Sequence, residues 1–147
     1  PIHKDLKTKD FPCTIGMQFF VSQDTLCNTI SSRSTDVFTG LPYDMGFFSV
    51  LTELVYAHLR EKLPLDKARK LQLGHTTMKT NFTQIYDKTK KQAIDLVDGL
   101  DACHSTSLRI EQNTMPDIES AKDVLEDIYE KTARTRFMKW IYEHAGF

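Results

Sequence analysis

The chain has 147 residues, with 19 Lys and Arg against 20 Asp and Glu, a formal net charge of −1, 40% hydrophobic and 27% charged residues. That is the profile of one globular domain, 1–147, with enough chain for a core and too little for two. It excludes a generally basic nucleic-acid binder, so no direct nucleic-acid binding is expected. No apolar run nears the roughly 18 residues of a membrane helix, and no signal peptide opens the chain.

Residues 1–12 are polar and basic and end in Phe11-Pro12, a loop feeding a strand. Ile15 to Val21 is rich in β-formers, Ser22-Gln23-Asp24 has turn chemistry, and Leu26 to Ser32 alternates. The two runs predict an antiparallel hairpin. Arg33 to Tyr43, punctuated by Gly40 and Pro42, reads as a loop, with Asp44 as helix N-cap. Apolar residues at 47, 48, 50, 51, 54, 55 and 59 predict a central helix from Met45 to Leu59, ended before Pro64.

Ala68 to Thr77 reads as a short strand. Asn81 to Leu100, with Gly99 near its end, reads as a long amphipathic helix. Ser107 to Glu111 is a further candidate strand. Pro116 opens another helix, with Ile118, Ala121, Leu125, Ile128 and Tyr129 on one face. Phe137, Met138, Trp140 and Ile141 fall at mostly helical spacing in a last segment from Arg134 to His144. The class is α+β, a mixed or antiparallel sheet against a long central helix and further helices.

The three cysteines, Cys13, Cys27 and Cys103, are odd in number and not closely spaced. This argues against a disulfide framework and a paired-thiolate zinc site, and favours a reducing, cytoplasmic setting. The five histidines form no metal-spaced pair, so no metal is expected.

Three features cluster between residues 12 and 44, and each has two readings. Cys13, after a Pro and opening a strand, is a small buried hydrophobe or a nucleophile. Arg33-Ser34 suits a phosphate, as a planar cationic fork beside a hydroxyl, or Arg33 simply pairs with Asp36. Gly40-Leu41-Pro42-Tyr43-Asp44 is a lead-in turn to the core helix or part of a binding loop.

The stretch from Pro12 to about Leu54, with its run R-S-T-D-V-F-T-G-L-P-Y, resembles the thymidylate synthase family without a gap. A weaker resemblance continues through Leu73-Gly74 to Asn81, and none is traceable beyond about residue 85. The resemblance implies the family's fold and its reaction, transfer of a one-carbon unit from 5,10-methylenetetrahydrofolate to C5 of a pyrimidine nucleoside monophosphate. It implies that Cys13 is the nucleophile that adds to C6. Arg33 and Ser34 match phosphate-binding positions, and the charge of Arg33 would favour the thiolate. Asp36 matches an aspartate on the folate side of the site, and Gly40 belongs to the matching substrate loop. The family is homodimeric, so a homodimer is expected, in the cytoplasm, a virus-infected host cell included.

Asp44 stands where thymidylate synthases have Asn. That amide reads the O4 and N3–H edge of uracil, whereas a carboxyl accepts from cytosine N4 and shares a proton with N3. The same exchange marks the dCMP and CMP hydroxymethylases, so the chain resembles a cytidylate-type member. Asp is also a favoured helix cap, and both roles are open to it.

The family's His after the nucleophile is Thr14 here. Its sugar-binding His and Tyr become Thr77, which retains a hydroxyl, and Lys79, which salt-bridges the phosphate or sits on a solvated surface. Ribose and deoxyribose are both open. The chain starts at Pro1 with no Glu before Cys13. The family's general-base glutamate lies in an amino-terminal half, so the expectation is a carboxyl-terminal part of a longer chain. The family's C-terminal tyrosine motif is not recognisable, and Tyr129 and Tyr142 read as core.

Overall fold

The computed structural model describes residues 12–102 and 115–145. The expected hairpin forms. Strand β1 (Thr14–Ser22) pairs antiparallel with β2 (Thr25–Ser32), in continuous register from Gly16↔Ser31 to Ser22↔Thr25, with a shift between Gly16 and the Thr14↔Ser32 pair. Gln23 and Asp24 both take positive φ, 48° and 59°, the backbone of a two-residue turn whose twist matches the strands it joins.

The chain then makes a two-residue strand β3 (Thr35–Asp36), a long helix α1 (Gly40–Lys62) and a single turn α2 (Leu65–Ala68). It returns as β4 (Gln72–Thr80), parallel to β2, giving a sheet ordered β1-β2-β4 with β2 in the middle. The short β5 (Thr83–Gln84) pairs with β3 as a separate two-stranded ribbon. Helices α3 (Asp87–Ala102), α4 (Ala121–Glu130) and α5 (Arg136–Ala145) follow. The fold is α+β with a long central helix, as the periodicity predicts, and the parallel β2–β4 pair makes the sheet mixed.

Burial follows from this order. β2 is covered at Leu26 and Ile30, 1% and 0% exposed, while β1, at the sheet's edge, leaves Ile15, Met17 and Val21 open. Leu54 and Ala57 of α1 pack against Ala121 and Val124 of α4 and Phe137 and Met138 of α5. Tyr142 packs against this cluster, as expected. The N-terminus of α5 is held by the Thr135 hydroxyl, which accepts from the Met138 N–H. Ser120 accepts from the Asp123 N–H at the start of α4. The buried Asp127 accepts from the backbone of Arg134 and Thr135, the Thr132 hydroxyl and the Arg134 guanidinium. Burial alone would raise its pKa, but these donors hold it below the usual carboxylate range.

Several boundaries move. α1 starts at Gly40, not Met45, so Gly40 to Asp44 is the first helical turn rather than a loop, and Asp44 is not the N-cap. Pro42 is tolerated there because the first N–H groups of a helix have no partner inside it. The segment expected as one helix from Asn81 first runs extended. Phe82 and Gln84 carbonyls accept from Thr35 and Val37, and long-range pairing overrides helical periodicity. α4 starts five residues after Pro116 and buries Ala121, Val124 and Asp127. Its Leu125, Ile128 and Tyr129 are exposed, Tyr129 at 89%, so Tyr129 is not core. Residues 107–111 and Cys103 lie outside the described residues.

Candidate active site

The hairpin brings the two ends of the 12–34 segment together. The Cys13 carbonyl accepts from the Arg33 N–H and the Ser32 hydroxyl, each at 2.9 Å. These bonds fix residues 13 and 32–34 side by side at the open end of the β1–β2 ladder. Cys13 Sγ then stands 3.6 Å from Ser34 Oγ, and Arg33 Nε–H reaches the Pro12 carbonyl at 3.5 Å. Cys13 is exposed, so it is not the small buried hydrophobe of the blander reading, a role that falls to Cys27.

From Ser34 the chain passes directly into β3. Asp36 is 5% exposed. Its Oδ1 accepts the N–H and the hydroxyl of Thr39, both at 2.6 Å, and its Oδ2 accepts the Tyr86 N–H at 3.2 Å. The Thr39 hydroxyl and N–H hold its pKa down at about 2 against the opposing push of burial, with help from the backbone of Tyr86 and Gly40. The carboxylate expected at the N-terminus of α1 is therefore supplied by Asp36, eight positions before the residue predicted to cap it.

Asp44 sits one turn into α1, half-buried. Helical side chains tilt toward the N-terminus, and its Oδ2 comes within 3.5 Å of Thr35 Oγ1. Gly40, four residues earlier on the same helix face, leaves that approach open: a Cβ there would lie 3.0 Å from Thr35 Oγ1.

Thr77 and Lys79 lie on β4. Thr52 of α1 hydrogen-bonds both Asn28 and Thr76, so those two turn toward α1. Thr77 and Lys79 pair with Thr29 and Ser31, and side chains alternate along a strand, which places them on the opposite face of the sheet. The structure thus joins Cys13, Arg33 and Ser34, carries Asp36 and Asp44 on the next two elements, and leaves Thr77 and Lys79 on the face turned away from α1.

Residues not singled out from sequence complete the arrangement. Ser32 bridges the Cys13 and Ser34 carbonyls, Thr39 holds Asp36, and Thr35 meets Asp44. The spacing Asp36-x-x-Thr39 is a local capping signal that the sequence does contain. Among the described residues no group of His, Cys, Asp and Glu is placed to hold a metal ion. Two concave surfaces lie apart from this cluster. One, between α4 and α5, is lined by Asp123, Arg134 and Phe137, and the other, beside α1 and α2, by Glu53, Arg60 and Arg69. Neither includes Cys13, Arg33, Ser34 or Asp44.

The α+β domain thus carries an exposed thiol at the mouth of a hairpin, beside Arg33 and Ser34, with the acid Asp44 on the helix that follows β3. The family model for thymidylate synthase matches residues 3–137, and the chain belongs to that family. Thymidylate synthases of Buchnera aphidicola subsp. Acyrthosiphon pisum, strains Tuc7 and 5A, are each 39% identical to it over 44 residues, 30% of this chain and 17% of theirs. The match therefore spans about a sixth of those relatives' length. No solved structure matches the chain at a significant level.

Proposed function

We propose that this chain carries the nucleotide half of a site for one-carbon transfer to C5 of a pyrimidine nucleoside monophosphate, with a cytidylate, dCMP or CMP, as substrate and hydroxymethylation as the reaction. The observation that carries the reading is the convergence of Cys13, Arg33 and Ser34 at one strand end, with Asp44 two elements on, in contact with Thr35. In this reading the Cys13 thiolate forms a bond to C6, the C5=C6 π pair moves onto C5, and C5 becomes the nucleophile toward the one-carbon unit. Arg33 and Ser34 hold the phosphate. Asp44 accepts from the cytosine N4 amino group and shares a proton with N3, which offsets the negative charge developing in the ring. The enzyme works as a homodimer in the cytoplasm, and Lys79 adds positive charge toward the phosphate or remains solvated. No described helix is long and apolar enough to cross a membrane.

Methylenetetrahydrofolate supplies the one-carbon unit in the family's chemistry. Asp36 is the one described residue assigned to its side, and its carboxylate is already engaged by Thr39 and Tyr86. In this reading the described residues supply the nucleotide half of the site.

A second reading, methylation of dUMP, is favoured by the relatives the chain resembles, which are thymidylate synthases. The two separate at Asp44. Cytidylate should bind the chain more tightly than uridylate, and Asp44→Asn should reverse the order, because an amide donates to O4 and accepts from N3–H. The helix should be unaffected, since Asp44 is not its cap. The test is the ratio of cytidylate to uridylate dissociation constants in both proteins by calorimetry. A ratio that does not move returns the assignment to thymidylate synthesis or to a nucleotide-binding relative without catalysis, which Thr14, Thr77 and Lys79 would suit.

A further inference from the structure

Asp44 has a neighbour to which the reading above gives no role. Thr35 is 4% exposed, and its N–H donates to the Phe82 carbonyl at 3.0 Å within the β3–β5 ribbon. Its backbone is pinned while its hydroxyl faces two acceptors at the same distance, the Asp36 carbonyl and Asp44 Oδ2, both at 3.5 Å. A hydroxyl has one proton to give and two lone pairs with which to accept. At 3.5 Å neither bond is closed, and a shortening of about 0.7 Å would bring the hydroxyl to ordinary hydrogen-bond distance of either one. Gly40 keeps the space around the hydroxyl open, because a Cβ at that position would come 3.0 Å from it.

We infer that Thr35 is the positioning residue of Asp44: its hydroxyl anchors Oδ2, leaves Oδ1 to face the base, and serves the carboxyl in both of its protonation states. The inference rests on the base-recognition reading of Asp44. While Asp44 is ionised, the hydroxyl donates to the carboxylate, the stronger of its two choices because the acceptor is charged. When the proton shared with the base resides on Oδ1, Oδ2 remains a carbonyl-type acceptor and the hydroxyl goes on donating to it. A proton therefore passes between Asp44 and cytosine N3 without orphaning either group. Valine, of similar shape, has no proton to donate, and serine has one.

The test uses Thr35→Val, Thr35→Ser and Asp44→Asn in the full chain, with two readouts. In nucleotide-free protein, the side-chain carboxyl carbon-13 resonance of Asp44 should move in Thr35→Val and stay in place in Thr35→Ser. With ligand, Thr35→Val should weaken dCMP or CMP about three- to tenfold while dUMP changes less than about twofold, and Thr35→Ser should recover wild-type selectivity. In the Asp44→Asn background, Thr35→Val should no longer discriminate between the bases. A thermal melt of each variant separates these effects from simple loss of fold. An unmoved resonance in Thr35→Val, or equal weakening of both nucleotides with a lowered melting temperature, overturns the proposal. A moved resonance with a base ratio unchanged in both Thr35→Val and Asp44→Asn overturns instead the reading on which it rests.

Discussion

Gly74 tests how tightly β4 is seated. It follows Leu73, the partner of Leu26, at the point where the β2–β4 register shifts. A Cβ added there would lie 2.7 Å from each of three atoms, Cys27 Sγ, Leu26 O and Thr25 Cγ2. Non-bonded heavy atoms prefer roughly 3.5–4.0 Å, so each neighbour would have to retreat by close to 1 Å. Cys27 can rotate in part, but Leu26 O is backbone of the central strand and can yield only if the strand does. Overpacking of this kind costs about 2–3 kcal/mol. The alanine recovers about 0.4–1 kcal/mol by restricting the unfolded chain. The net loss, roughly 1–2.6 kcal/mol, corresponds to a melting temperature lower by roughly 2–10 °C for a domain of this size. Thermal and urea unfolding followed by circular dichroism measure it. Cys27→Ala removes one of the three contacts, so the double variant should recover less than half of the loss. A Gly74→Ala protein melting within about 1 °C of wild type, or one fully restored by Cys27→Ala, would refute the steric account.

Three further outcomes are expected. Iodoacetamide should label Cys13, which is exposed, and spare Cys27, which is buried, with dCMP slowing the labelling of Cys13. Peptide mass spectrometry checks this, and Cys13→Ser should lose C5 tritium exchange while keeping nucleotide binding. Arg33→Ala should weaken nucleotide binding roughly ten- to a hundredfold, the worth of a charge-assisted phosphate contact, and leave binding of the free nucleoside unchanged. Calorimetry that finds both ligands weakened alike would remove the phosphate role. The folded-state pKa of Asp36 is depressed from 3.8 to about 2, so its contribution to stability is present above about pH 4 and fades as pH falls toward 2. Asp36→Asn should flatten the acid limb of a stability–pH curve over that range. An unchanged limb would show that the Thr39 and Tyr86 donors do not favour the ionised form.

The hairpin and the central helix are legible in the sequence because their signals are local: β-formers on either side of a polar break, then apolar residues at helical spacing. The start of α1 is not, because Gly40 and Pro42 read as loop punctuation whereas the helix takes its carboxylate from Asp36, outside its own span. β5 is hidden for a related reason. Thr83 and Gln84 become strand only by pairing with β3, about 48 residues earlier in the chain, which no local window senses. On α4, Leu125 and Tyr129 match Val124 in apolarity, and the choice between faces depends on where α1 and α5 lie. The candidate site fares better. Cys13, Arg33 and Ser34 meet as the motif suggests, whereas Thr35 is invisible as a partner of Asp44 until the helix turns that carboxyl back toward β3.

The order β1-β2-β4 also shapes how the chain folds. The hairpin closes over a two-residue turn, an event of roughly 1–10 μs, and brings Cys13 beside Arg33 and Ser34 at once. β4 must instead return across the whole of α1 before it can cover β2, and such long closures delay non-local pairing. Until it arrives, β2 offers an unpaired edge beside Leu26 and Ile30, the side chains most completely buried at the end. That interval is when this chain is most open to pairing with another copy of itself, and a cell making it at high level would meet aggregation there before any loss of activity.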